Sequence, residues 1–360
     1  MNKQEILNCL FSNWYHLFRR HTIKSVVIPL PEDFVKYLQD DGTVVLPRGV
    51  VLPGATREEW DNEEEEGDNG EERSEEEWEE NENEEEGNNP EFTELMEEIG
   101  KLIEDLGGKV FPKLGWSSPK DAAWIANNSL LCNTAGEVVL LLKSSDFIIY
   151  DLTSVFKLCT DVESDANIPH QLVLRKWANL VPGMEFRCFI RNKSLLGVSQ
   201  RDYKQHYDYI IKDKDKLAEE IHNFVSDEII DKFPSDSFVV DIYKKRDGNF
   251  WVIDFNPYGE MTEPLLFTWG ELSSGSLSTC DFYVDMKTAD DVTIGQFRYT
   301  PSDVTMQPSE HLRYRMPQDF VDLSTGSDAT KLIDFMRMKI QNDDVEDSSD
   351  DEQWTLPVNR

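Results

Sequence analysis

The sequence predicts an α+β fold with more than one lobe. Two observations carry that expectation. Apolar residues recur at helical spacing in several segments, and these alternate with two antiparallel hairpins in the second half of the chain. A third, a low-complexity acidic run over residues 58–90, separates a small N-terminal unit from the rest.

Residues 1–57 read as a helix–strand unit. Ile6, Leu7, Leu10, Phe11, Trp14, Leu17 and Phe18 form one helical stripe, Ser25–Pro31 reads as a strand, and Pro31–Asp41 as a short helix ended by Gly42. Residues 58–90 are almost entirely Glu, Asn, Asp and Gly; they bury too little apolar surface to offset chain entropy and are expected to be disordered. A second stripe, Phe92, Leu95, Met96, Ile99, Leu102, Ile103 and Leu106, ends at Gly107-Gly108. A strand over KVFPKLGW follows, then a short helix near Asp121–Asn128. Val138–Leu142 and Gln171–Lys176 read as strands, and Glu185–Ile190 with Ser194–Ser199 as a hairpin. Lys214–Phe233 reads as a long amphipathic helix, Phe238–Lys245 with Asn249–Asn256 as a second hairpin, and Ser327–Ile340 as a last helix running into an acidic tail.

Charge is concentrated. The 360 residues carry 36 basic and 71 acidic side chains, a formal charge of -35. Residues 61–86 hold 17 acids against one base, and residues 343–352 hold seven acids and none, so the other 324 residues carry only -12. No nucleic-acid partner and no membrane partner is expected, because both need clustered Lys and Arg. The five cysteines (Cys9, Cys132, Cys159, Cys188, Cys280) are scattered and form no CxxC pair. That pattern fits a reducing compartment and argues against a disulfide framework or a structural zinc site. The N-terminus has no apolar signal region and no stretch approaches a membrane span. A cytoplasmic, monomeric protein is expected.

The sharpest local signal is FVVDIYKKRDGNFWVIDFNPYG. Asp247-Gly248 is a favoured two-residue hairpin loop. Such a loop pairs Arg246 with Asn249 and, five residues back along each strand, Asp241 with Asp254. Asn256 then shares their face, while Val240, Ile242, Trp251, Ile253 and Phe255 make the core face. Two carboxylates with Cβ atoms ~5 Å apart repel each other, so something must offset them. Two readings fit: Lys or Arg partners on an exposed strand face, or a divalent cation such as Mg²⁺, which prefers hard oxygen ligands.

With that hairpin read, the chain resembles the cell division cycle protein 123 family. The resemblance rests on VFPKLGWSSPKDAAWIA, LVLRKW, PGMEFRCFIRN, LGVSQRDY, VVDIYKKRDGNFWVIDFNPYGEMTEPLLFTW and DFVDLSTG. It implies an ATP-grasp-like fold in which two lobes clamp Mg-ATP. The implied division is 1–57 as the N-terminal part of the first lobe, 58–90 as the acidic linker and 91–170 as the nucleotide-clamping lobe. Residues 171–342 would be the C-terminal lobe with the metal-binding hairpin, and 343–360 the acidic tail. Carried over by position, the metal ligands fall on Asp241, Asp254 and Asn256, and a phosphate-binding lysine falls on Lys113. Gly115, Trp116, Ser118 and Lys120 would belong to a loop over the phosphates. The family commonly has Asn where Gly115 stands and Arg where Lys120 stands, which leaves the role of Lys120 open. Trp116 reads equally well as core. LVLRKW lies where the strand linking the lobes reads adenine, making Arg175, Lys176 and Trp177 candidates. Arg187 and Arg201 would face the phosphates, or pair with Asp241 or Asp254.

The function implied by the resemblance is assembly of translation initiation factor 2 through its gamma subunit, with ATP and Mg²⁺ bound, in support of translation initiation and cell-cycle progression. No catalytic residue is then required. Two other classes remain open: an ATP-grasp ligase forming an acyl-phosphate, for which no acceptor site is recognisable, and an electrostatic hub built on the acidic segments. Trp60 and Trp78 within the linker read as docking anchors or as chance. Ser74, Ser348 and Ser349 precede acids, a context suited to acidophilic kinases, which intact mass before and after phosphatase would test.

Overall fold

Two antiparallel-rich sheets organise the chain in the computed structural model. It describes residues 1–40, 45–48, 50, 91–126, 128–161, 168–279, 282–287 and 293–301. All of these belong to one unit, Met1–Gln307. The linker tryptophans, the three candidate phosphorylation sites, the 327–340 helix, DFVDLSTG and the acidic tail lie outside the described residues.

The small sheet has the order β1 (Ser25–Pro29), β3 (Gln171–Lys176), β2 (Val110–Lys113). Its central strand, which the sequence places at the start of the second lobe, is shared between two cores. Leu172 and Leu174 pack with helices Glu32–Gln39, Thr93–Asp105, Ala135–Lys143 and Asp146–Thr153, while Val173 turns the other way. That alternation follows from the two-residue period of a strand covered on both faces.

The large sheet has six strands in the order β7 (Phe250–Pro257), β6 (Phe238–Lys244), β4 (Glu185–Arg191), β5 (Ser194–Gln200), β9 (Thr293–Arg298), β8 (Tyr283–Lys287). One face buries Phe186, Cys188, Val198, Val240, Ile242, Val252, Phe255 and Phe297 against Phe11, Trp14 and Phe18 and the helix Asp208–Phe224. Phe233 stacks on Phe255 with ring centroids 4.2 Å apart, a geometry that adds about 1 kcal/mol to burial. The opposite face carries the charged residues described below.

Several expectations are corrected. Val138–Leu142 is not a strand but the middle of the helix Ala135–Lys143. A short apolar run is ambiguous in period; the deciding signal is the capping box of Thr134 and Glu137. The N-terminal stripe is two helices, Lys3–Asn8 and Phe11–Phe18, broken where Leu10 is extended, and Leu17 is 40 % exposed. The long helix begins at Asp208, six residues early, and continues into a π-helical turn Val225–Ile230. The helix Asp146–Thr153 and strands β8 and β9 carry no periodicity strong enough to have been read.

Candidate functional site

The β6–β7 hairpin is built differently from the expected one, yet it arrives at the same pair. Its loop has three residues, Arg246, Asp247 and Gly248, closed by the Lys245 amide donating to the Asn249 carbonyl at 2.8 Å. Gly248 has φ +87°, the left-handed position such loops reserve for glycine. Every pair is therefore one residue off: Lys244 faces Phe250, Tyr243 faces Trp251 and Ile242 faces Val252. A β-bulge then inserts Ile253, and the register recovers, so that Asp241 lies opposite Asp254 and Val240 opposite Phe255. The core face changes accordingly. Val252 is fully buried, whereas Trp251 is only half-buried and stacks on Tyr243.

The register carries a charged rung across the sheet: Asp254, Asp241, Arg187, Ser199 and Arg298, one from each of five strands. Both carboxylates have counterions. Arg187 binds Asp241 through two parallel bonds, Nε to Oδ1 and Nη2 to Oδ2, each 2.8 Å. Arg201 Nε lies 3.7 Å from Asp241 Oδ2. Lys113, 1 % exposed at the end of β2, places Nζ 2.6 Å from Asp254 Oδ2. Burial alone would raise the Asp241 pKa; Arg187, with Arg201 and Lys120, outweighs it and holds the carboxyl at about 2. The like-charge crowding is thus offset by Lys and Arg partners, on a largely buried face rather than the exposed one of the first reading. A divalent ion is compatible with the same atoms. Asn256 sits two residues along β7 from Asp254 and makes no side-chain hydrogen bond among the described residues. The three oxygens are hard donors of the kind Mg²⁺ takes. Among the described residues no group of three His, Cys, Asp or Glu forms a metal cluster.

The stretch after Lys113 is pinned rather than open. The buried Asp151 carboxylate accepts bonds from the backbone amides of Trp116 (3.1 Å) and Ser117 (2.6 Å) and from Ser117 Oγ (2.8 Å). Burial raises the Asp151 pKa to about 6 against the pull of those donors and of Lys113. Gly115 is packed so tightly that a Cβ there would stand 2.4 Å from Leu10 Cδ1. Trp116 belongs to the packing: its indole donates to the Ile6 carbonyl and its ring meets Phe156 edge-on. Ser118 is buried. Lys120 keeps surface open to water but is hemmed by protein atoms; that desolvation, then Arg201, lowers its pKa, while Glu185 and Asp241 oppose the change.

In LVLRKW, Arg175 is directed into the large sheet, donating to the Ile253 carbonyl at 2.7 Å and to Thr22 Oγ1 at 3.2 Å. Lys176 is exposed and its amide is bonded to the Lys24 carbonyl; Trp177 donates through its indole to Asn179. These last two therefore stand apart from the rung.

Sequence reasoning missed Glu185 and Glu263. Glu185 alternates with Arg187 on β4, a signal that was available; burial raises its pKa, Lys120 opposes this and Asp241 adds to it. Glu263 accepts from Arg187 Nη1 through its carbonyl (2.8 Å) and from Tyr203 through its carboxylate (3.0 Å), and lies 3.9 Å from Arg201. It comes from a loop after β7, so no periodicity could have placed it.

A family model described as D123 matches residues 14–324. A Xenopus laevis protein named "Translation initiation factor eIF2 assembly protein" is 47% identical over 351 residues, covering 97% of this chain and 100% of that one. A Candida glabrata protein named "Cell division cycle protein 123" is 35% identical over 363 residues, covering 97% and 96%. Among solved structures, Cdc123 from Schizosaccharomyces pombe superposes with a TM-score of 0.62 at 33% identity, covering 84% of this chain and 99% of that one.

Proposed function

Because the chain belongs to the D123 family, that of Cdc123, we propose that it is an assembly factor for translation initiation factor 2, one that binds the gamma subunit of that factor and uses bound ATP and magnesium. The observation that carries this reading is the full-length similarity to relatives named for eIF2 assembly. A cytoplasmic location follows from that role; no helix among the described residues is long and apolar enough to cross a membrane.

The charged rung supports the nucleotide half of the reading. Asp241, Asp254 and Asn256 would hold the magnesium ion, which supplies positive charge to phosphate oxygens. Arg187, Arg201 and Lys120 converge beside Asp241, and Lys113 beside Asp254. These four cations stand among the carboxylates of Asp241, Asp254, Glu185 and Glu263, and offer a polyphosphate charge-assisted contacts. Arg187 presents a planar fork to oxygen pairs, while Lys113 and Lys120 act as point charges. The neighbouring sheet brings Lys113 to the rung, so binding there is sensitive to how the two sheets sit.

Capture of purified gamma subunit by the full chain, with and without Mg-ATP, tests the reading. Retention of the gamma subunit that strengthens with Mg-ATP is expected. No capture under either condition contradicts it.

A further inference from the structure

We propose that Arg175 and Thr22 are positioning residues for the acid pair, holding the Ile253 bulge that turns Asp254 toward Asp241. The proposal rests on the reading of Asp241, Asp254 and Asn256 as a cation site, and deepens it by naming what sets its geometry.

The bulge decides the face. If the pairing that leaves the hairpin loop continued unchanged, Ile253 would stand opposite Asp241, and Asp254 and Asn256 would turn toward the helix-packed core. Burial of Phe255 favours the bulge from the core side. A bulge also frees backbone groups from the ladder, and buried ones need partners. Here those partners come from outside the large sheet. Thr22 Oγ1 donates to the Val252 carbonyl at 2.7 Å, the Val252 amide donates to the His21 carbonyl at 2.6 Å, and Arg175 Nη1 donates to the Ile253 carbonyl at 2.7 Å. Arg175 Nη2 also donates to Thr22 Oγ1 at 3.2 Å, joining the two holders. Arg175 is 4 % exposed, and among the described residues its Nε has no hydrogen-bond partner and it makes no ion pair, so the guanidinium is buried for these contacts. Its position on β3 means that the small sheet, which carries Lys113, also sets the angle of the acid that Lys113 binds.

The test uses the full chain with Arg175→Met, Arg175→Lys and Thr22→Val. Two readouts run at a temperature where each variant is folded. The first is disulfide trapping between cysteines placed at 241 and 254, which needs the native register and no metal. The second is Mn²⁺ uptake in the presence of ATP, followed by electron paramagnetic resonance. Trapping at least threefold slower and Mn²⁺ affinity at least fivefold weaker are expected for Arg175→Met and Thr22→Val, with partial recovery in Arg175→Lys, which keeps one donor. Ile99→Ala, a core truncation in the other lobe, should leave Mn²⁺ affinity within twofold, which separates positioning from general destabilisation. Unchanged trapping and uptake in folded Arg175→Met overturn the proposal. If the unsubstituted chain takes up no Mn²⁺ while trapping still slows, the cation reading fails and the positioning role stands.

Discussion

Lys113 on β2 and Asp254 on β7 form an ion pair of 2.6 Å that joins the small sheet to the large one. Asp254 also faces Asp241 across the hairpin, so the lysine is at once a tie between sheets and a counterion in a crowded acid site.

That double role makes the lysine harder to remove than the pair. Lys113→Met leaves Asp254 beside Asp241 without its paired cation and with only the Phe255 amide as a donor, in a site where only 20% of the side chain is exposed. A loss of about 3 kcal/mol in urea unfolding is expected, the size seen when one half of a buried pair is deleted. The double variant Lys113→Met/Asp254→Asn should recover more than half of it. Equal losses in single and double variants would show that the charge is not what matters.

Asp151 gives stability an unusual pH dependence. Its pKa of about 6 lies above the ordinary carboxylate value, because burial penalises the charged form. The folded state therefore keeps a proton that the unfolded state releases, and stability falls as pH rises from about 4 to about 6, then levels off. The shift of roughly two units corresponds to about 3 kcal/mol. Urea unfolding at pH 4.5 and pH 7 should show this contribution disappearing in Asp151→Asn, whose amide still accepts from Trp116 or Ser117. A variant with the same pH profile as the native chain would exclude Asp151 as the source.

Arg298 fastens the segment that carries Glu263. It is buried, donates to the Leu266 and Ser278 carbonyls, binds Glu271 with Nη2 at 2.9 Å, and lies over the Phe267 ring at 4.1 Å. Within the same segment Leu265 has φ +55°, a strained conformation for a leucine that its surroundings must enforce. Arg298→Leu is expected to cost about 3 kcal/mol by removing the counterion of Glu271, which keeps only its bonds from Thr268 and Ser278, and by leaving two carbonyls unmatched. Limited proteolysis should find new cleavage within residues 262–278. Resistance equal to the native chain would mean that other contacts hold the segment.

The pair Asp241 and Asp254 was legible because strand alternation and a glycine turn leave few choices. It was reached through two departures that cancel, a three-residue loop and a bulge at Ile253. The bulge is not local in origin: it is satisfied by Thr22 and Arg175, remote in sequence. The same limit applies to Arg175: its place in LVLRKW marked it as a candidate, and the contacts of its side chain with Thr22 and Ile253 come from segments remote in sequence. Glu263 and Asp151 were illegible because loops and helix packing bring them in without any period. Val138–Leu142 was misread although Thr134 and Glu137 announced a helix, since a run of buried valines and leucines suits either element.

In the proposed function, Asp241, Asp254 and Asn256 bind magnesium together with ATP. Calorimetric titration of ATP into the full chain, with magnesium and with EDTA, beside Asp254→Asn and Asn256→Ala, tests it most directly. The native chain should bind ATP at least tenfold more tightly with magnesium, and both variants should lose that gain while keeping their metal-free affinity. Equal affinity with and without magnesium, or variants that retain the gain, would contradict it.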